Sequence, residues 1–307
     1  MGGDRAAVLT PTGVPLRVIS SLRKALAVGA AAVIAATVVA APARGDAFTA
    51  YAVGDIGECG GDPHATAALV PRGSMLFALG DLAYPSGVAR DFRECYLPAY
   101  GRLKNTTYPV IGNHEYYGNT RSPYYFRLFG PRVGTPASPH YTVRKGAWLF
   151  VMLDSNCEII GGCGKGSAQY RWLRKQLKAF PGRCIAAAWH HPRWSGSRHG
   201  DNPVVGPMVR LLRRAGADLI LNGHDHAYLR YPRLTEKGAR DRQGVREFVV
   251  GTGGAELYSV QRARPRPAVA SNRHHGVLRL RFRDKGYSWR FLSTTGAAVD
   301  RGTDTCR

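Results

Sequence analysis

The chain has 307 residues, 44% of them hydrophobic, with 37 glycines and a formal charge of +22. This is an ordinary globular composition that excludes disorder outside the ends and leaves room for one large α/β domain or two small ones. The charge favours anions such as phosphate esters, nucleic acids or acidic polymers. Basic residues are scattered along the whole chain, and no nucleic-acid motif or arginine–aromatic module accompanies them, so no specific nucleic-acid partner is expected.

In chain order, Arg17, Arg23 and Lys24 precede the apolar run "ALAVGAAAVIAATVVA" at 25–40, which "APA" follows at 41–43. A basic region, a short apolar core and a small-x-small site describe a secretory signal peptide, cleaved near Ala40–Ala43. The run is shorter than the roughly 20 residues that span a bilayer. The expectation is a leader at 1–43, a mature domain at 44–307, an extracellular destination and no stable membrane association after cleavage. The leader holds four basic and one acidic side chain, leaving the mature chain at +19. All six cysteines (Cys59, Cys95, Cys157, Cys163, Cys184 and Cys306) follow it. An even number in an exported chain favours disulfides, and the absence of any C-x-x-C pair disfavours a zinc site. The short "EIIGG" loop between Cys157 and Cys163 favours that pair; the remaining pairing is open.

Past the leader, short apolar runs alternate with helix-like stretches. The runs are "FTAYAVG" (48–54), "SMLFALG" (74–80), "YPVIG" (108–112), "WLFVMLD" (148–154), "CIAAAW" (184–189) and "DLILNG" (218–223). Apolar positions at helical spacing occupy 166–180 and 202–217. A further strand is expected in "REFVVGTGG" (246–254), an exposed loop at 262–273, and a hairpin over 276–294 turning at Asp284–Gly286. Such a pattern predicts two sheets packed together with helices outside.

What ends each run carries the chemistry. The runs close on "GDIG" (Asp55), "GDLAY" (Asp81, Tyr84), "GNHE" (Asn113, His114), "WHHP" (His190, His191) and "GHDH" (His224, His226). Open α/β sheets place their sites at the carboxyl ends of strands. The glycines are expected to let the backbone turn sharply there. In extended backbone His224 and His226 would point one way and Asp225 the other. Asp, Tyr, Asn and His are hard oxygen and borderline nitrogen donors, and they are too many for one metal. Two ions sharing a bridging carboxylate fit the set, a known device for phosphoryl transfer. A phenolate from Tyr84 calls for a strongly acidic ion, and ferric iron meets that demand better than zinc or manganese.

In this order the five motifs resemble the signature of purple acid phosphatases, within the calcineurin-like metallophosphoesterases; "GTGG" at 251–254 also looks like that family. Gly57 stands where most of the wider superfamily has the histidine of D-x-H, and Tyr84 points to the iron-containing branch. The resemblance implies a four-layer α/β/β/α sandwich with two mixed sheets. It implies Fe(3+) held by Asp55, Asp81, Tyr84 and His226, and a second divalent metal (Zn, Fe or Mn) held by Asp81, Asn113, His190 and His224. His190 rather than His191 occupies the ligand position. His114 resembles a phosphate-contacting histidine, and His199, nine residues after His190, falls where some relatives assist the leaving group. The implied activity is an exported acid phosphatase acting on small phosphorylated substrates, with hydroxide generated at the metals attacking phosphorus in line. The competing readings are a phosphodiesterase or nucleotide hydrolase using the same centre, and a non-catalytic polyanion-binding protein. Glu115 reads as a structural hydrogen-bonding group, Asp154 as a loop cap, and His274 and His275 as surface residues.

Overall fold

The computed structural model describes residues 47–261 and 263–307; the expected leader at 1–43 lies outside them. Thirteen strands follow along these residues. They begin with β1 (Phe48–Val53), β2 (Met75–Ala78), β3 (Thr107–Pro109), β4 (Tyr141–Lys145) and β5 (Trp148–Met152). Next come β6 (Cys184–Ala188), β7 (Leu219–Asn222), β8 (Tyr228–Arg230) and β9 (Arg246–Val250). The last are β10 (Val269–Ser271), β11 (Gly276–Arg283), β12 (Gly286–Ser293) and β13 (Arg301–Thr305). They form two mixed sheets, in the orders β13-β12-β11-β1-β2-β3 and β10-β8-β9-β7-β6-β5-β4.

Burial explains the two kinds of strand. β5 and β6 are buried along their whole length and read as continuous apolar runs, as parallel strands covered on both faces must. β11 alternates buried and exposed residues because only its inner face packs. Phe77, Phe150, Phe248, Leu280 and Phe291 fill the space between the sheets. Each such side chain contributes about 1.5–3 kcal/mol on removal from water. Helices Ala168–Ala179 and Gly206–Arg214 cover the outer face of the second sheet through Leu173, Leu177, Val209 and Leu212. Helix Pro63–Ala68 and the helical stretch 89–100 cover part of the first sheet, through Ala67, Phe92, Tyr96 and Tyr100. The result is the expected four-layer arrangement.

Ser167 starts helix Ala168–Ala179 by accepting the Tyr170 N–H, and an orphan donor is thereby satisfied. The hairpin turns where expected, with Arg283 opposite Gly286. It does not stand apart: β11 pairs antiparallel with β1, placing the last third of the chain beside the first strand. The expected loop at 262–273 is corrected in part. Val269–Ser271 is an edge strand, pairing antiparallel with β8. Three residues are too few for an alternating pattern, so main-chain hydrogen bonding to an open edge sets this strand. All six cysteines are paired: Cys157 with Cys163 as expected, Cys59 with Cys95, and Cys184 with Cys306. The last bridge ties β6 of the second sheet to the residue after β13 of the first.

Candidate metal centre

The predicted ligands converge where the carboxyl ends of β1, β2, β3, β6 and β7 meet. Three of the residues there hold left-handed backbone: Asp55 at φ 58°, Asp81 at φ 51° and His224 at φ 72°. Such conformations cost about 1–3 kcal/mol each, and aspartate and histidine are among the residues that tolerate them. The chain is therefore not extended through "GHDH", contrary to the simple alternation. The glycines also act differently from expectation. Of Gly54, Gly80, Gly112 and Gly223, only Gly80 has a left-handed backbone, at φ 87°. Gly112 is required by close approach, since a Cβ there would lie 2.1 Å from Asp81 Oδ1.

The donor atoms form one knot. Tyr84 Oη lies 3.2 Å from Asp55 Oδ1, 3.3 Å from Asp81 Oδ2 and 3.1 Å from His226 Nε2. His190 Nε2 lies 3.1 Å from both Asp81 Oδ2 and Asn113 Oδ1. Backbone groups fix the orientations: His190 Nδ1 is 2.7 Å from the Leu79 carbonyl and His226 Nδ1 is 2.7 Å from the Glu256 carbonyl. The His114 N–H donates to Asp81 Oδ1 and the His224 N–H to Asp55 Oδ2. The His224 ring lies 5.0 Å from that of His190 and 4.3 Å from that of His191. All seven predicted ligands are thus brought together.

The chemistry of this set fits cations. A ring N–H given to a carbonyl by Nδ1 leaves each Nε2 with a lone pair. One phenol proton then faces three acceptors around Tyr84, and His190 Nε2 faces two more oxygens. Without a cation, protons must relieve the crowding. His190 is pushed up to about 10, its burial outweighed by Asp81. Asp81 is correspondingly held well below the usual carboxylate range: burial opposes this, and His190, His114 and His224 overcome it. Burial, Asp55 and Asp81 push the Tyr84 phenol well above its ordinary value, so a phenolate there needs positive charge at the knot. Burial and the neighbouring imidazoles His191 and His190 drive His224 well down, leaving it neutral and able to ligate. Groups able to hold an ion include Asp55, Asp81 and His190 in one set and His190, His191 and His224 in another.

The two predicted catalytic histidines are also placed. His114 Nδ1 is 2.6 Å from the Pro85 carbonyl, and its Nε2 is 3.9 Å from Asp81 Oδ2. His199 stacks on His224 with ring centroids 4.2 Å apart. It is held there by Asp225, whose Oδ1 accepts the His199 N–H at 3.0 Å and lies 3.2 Å from Nδ1. Ser195 donates its hydroxyl to the other Asp225 oxygen. A cavity of about 530 Å³ opens beside these groups, with Tyr84, His114, Arg198, His226 and Tyr258 on its wall.

Sequence reasoning set Asp225 aside as a residue facing away; it is the group that orients His199. Its burial between two predicted ligands was the available signal. Tyr258, stacked on His226 at 4.0 Å, gave none, since it lies far along the chain in an irregular stretch. Glu115 is structural, as expected: its carboxylate accepts the backbone N–H groups of Asp81, Leu82, Ala83 and Gly112. Asp154 caps its loop by accepting from the Asn156 N–H and the Tyr116 hydroxyl. Arg193 is engaged elsewhere: its backbone N–H donates to Glu247, and its guanidinium donates to the Glu236 carbonyl and lies 3.8 Å from Asp201.

The profile of the calcineurin-like phosphoesterases matches residues 48–228, the span that carries every ligand position. The chain belongs to this family. Purple acid phosphatase 15 of Arabidopsis thaliana is 27% identical over 216 residues, 59% of this chain and 40% of that protein. Purple acid phosphatase 23 of the same plant is 28% identical over 185 residues, 53% and 39% of the two chains. This phosphoesterase chain therefore spans about two fifths of the length of the curated relatives it matches. In three dimensions it is similar to purple acid phosphatase PPD1 from yellow lupin (Lupinus luteus) seeds, with a TM-score of 0.68 at 16% identity. That match covers 86% of this chain and 55% of the other. GAP50, described as the anchor in the inner membrane complex of Plasmodium, gives a TM-score of 0.65 at 14% identity, covering 85% and 89%. Both likenesses are of fold.

Proposed function

We propose that this phosphoesterase is an exported acid phosphatase that hydrolyses phosphate monoesters at a binuclear Fe(III)–M(II) centre. One observation carries the reading: the Tyr84 hydroxyl within 3.3 Å of Asp55, Asp81 and His226, a half-buried phenol among acceptors. Asp55, Asp81, Tyr84 and His226 would hold the ferric ion. Asp81, Asn113, His190 and His224 would hold the divalent ion, zinc, iron or manganese. When bound, the pair supplies positive charge to the phosphoryl oxygens and acidifies water as a nucleophile.

The protein's own residues do the rest. The Pro85 carbonyl fixes the His114 ring, so a proton on Nε2 can be given to a phosphoryl or departing oxygen. Asp225 holds the His199 ring by Nδ1, leaving Nε2 to protonate the leaving alkoxide. The products are an alcohol and orthophosphate. The three disulfides accord with export from the cell, and the leading segment 1–43 would direct it. Residues 44–307 would then act as a single secreted domain on small phosphorylated substrates.

Turnover of p-nitrophenyl phosphate at acid pH should exceed that of bis(p-nitrophenyl) phosphate. The wild type should show a visible tyrosinate-to-iron band that Tyr84→Phe abolishes. A colourless, iron-free active enzyme would refute the ferric assignment. The net charge of +22 favours one second reading, a phosphodiesterase using the same centre, and the reverse preference between the two esters would establish it.

A further inference from the structure

The outer face of β11, β12 and β13 carries five exposed arginines: Arg279, Arg281, Arg283, Arg290 and Arg301. The register puts three of them in one row, Arg279 opposite Arg290 and Arg290 opposite Arg301. Strands lie about 4.8 Å apart and alternate residues along a strand about 6.8 Å apart, so the five charges form a tight grid. Like charges directly opposite on neighbouring strands destabilise a sheet. Ser288, Thr303 and Thr305 occupy the positions between them, and these strands place no carboxylate on this face. Among the described residues, none of the five arginine side chains has a hydrogen bond, ion pair or ring contact.

The inner side of the same strands is handled differently. Asp304 of β13 pairs with Arg233 and Arg246, both at 3.0 Å, and Asp300 pairs with Arg230 at 2.7 Å. Acidic side chains are available here and they turn inward. Among the described residues, no carboxylate is paired with the five arginines of the outer face, so their mutual repulsion is retained. A negatively charged partner would relieve it.

We propose that this face docks a linear, phosphate-bearing polymer. Guanidinium groups on a regular grid can each take a phosphate in two-pronged fashion, along β11 or across the row. No aromatic ring is exposed on the face to stack a base, which disfavours single-stranded nucleic acid. No bulky apolar side chain stands out from it to enter a bilayer, which disfavours a membrane. The choice of phosphate over carboxylate rests on the phosphatase reading, because a docked polymer would raise the local concentration of esters around the enzyme.

The test is a titration of labelled inorganic polyphosphate with the full chain at several salt concentrations. R279S/R290S/R301S is compared with R72S/R174S/R214S, which removes three exposed arginines elsewhere. The sheet variant should bind at least tenfold more weakly, and its slope of log affinity against log salt should fall by about two to three. The control should change less than about threefold by comparison, the loss expected of bulk charge alone. The sheet variant should also melt about 1–2 °C higher once the opposed charges are gone. Turnover of p-nitrophenyl phosphate should be unchanged in both. Equal weakening in the two variants would overturn the proposal, as would tighter binding of oligo-dT or of anionic vesicles through the same arginines. Binding lost only in the sheet variant, in a protein that hydrolyses no ester, would support docking and refute the phosphatase reading.

Discussion

The two sheets contribute different halves of the centre. The first supplies oxygen, through Asp55 after β1, Asp81 and Tyr84 after β2, and Asn113 after β3. The second supplies nitrogen, through His190 after β6 and through His224 and His226 after β7. Each half is held by the other. His190 of the second sheet is oriented by the Leu79 carbonyl of the first, and Asp55 of the first accepts the His224 N–H of the second. Neither sheet alone could assemble the site, so the candidate centre is a product of sheet-on-sheet packing.

The largest expected effect comes from the oxygen half. Asp81 touches both halves, and Asp81→Ala should abolish metal retention and lower turnover by at least about a thousandfold. Elemental analysis and kinetics on one preparation check this; metal content equal to wild type would refute the bridging role. On the nitrogen half a second carboxylate, Asp225, holds His199. Asp225→Asn should lower kcat about 10–100-fold, leave the metal content unchanged, and change the pH profile in the same way as His199→Ala should. The double variant should be no worse than His199→Ala alone, and additive losses would show that Asp225 does not work through His199.

The seam between the halves is tested by Gly223→Ala. Its Cβ would lie 2.6 Å from Asp55 Oδ2 and 2.8 Å from the Leu79 carbonyl, both of the first sheet, and crowding of this kind costs about 1–3 kcal/mol. Thermal melting should fall and metal affinity with it; an unchanged melting temperature would mean that the seam yields.

The smallest effect lies outside the centre, at His140, whose ring packs on Trp172 and whose Nδ1 has no hydrogen-bond partner among the described residues. Burial pushes this imidazole down to about 4. The native state therefore binds fewer protons than the unfolded chain between that value and the ordinary 6.5. Stability is full above pH 6.5 and is lost as pH falls towards 4, by about 1–2 kcal/mol after allowance for partial solvent contact. Denaturant unfolding at pH 7 and pH 4.5 should show a smaller drop for His140→Phe than for the wild type. Equal drops would place the acid sensitivity elsewhere.

The centre was legible because its ligands sit at the ends of strongly apolar runs, and such runs become buried strands almost wherever they occur. "WLFVM" and "LILN" needed no tertiary information to be read. β4, β8, β10 and β13 were missed for the opposite reason. β4, β10 and β13 are edge strands, β8 is a three-residue strand inside its sheet, and "RGTDT" becomes a strand because β12 offers it a hydrogen-bonding edge. The positive φ angles at Asp55, Asp81 and His224 were hidden as well. They lie where the two sheets meet, a Cβ at Gly223 coming within 2.6 Å of Asp55 Oδ2, and sequence periodicity carries no record of that contact. The disulfides divide in the same way: Cys157–Cys163 closes a local loop, whereas the other two join segments that only the fold brings together.

The proposed centre requires five strand ends to converge around two ions. Anomalous diffraction at the iron edge, from crystals of protein supplied with iron and a divalent metal, measures it directly. Two peaks should flank the Asp81 carboxylate, with the iron signal on the side of Tyr84. A single peak, or iron on the side of Asn113 and His190, would contradict it.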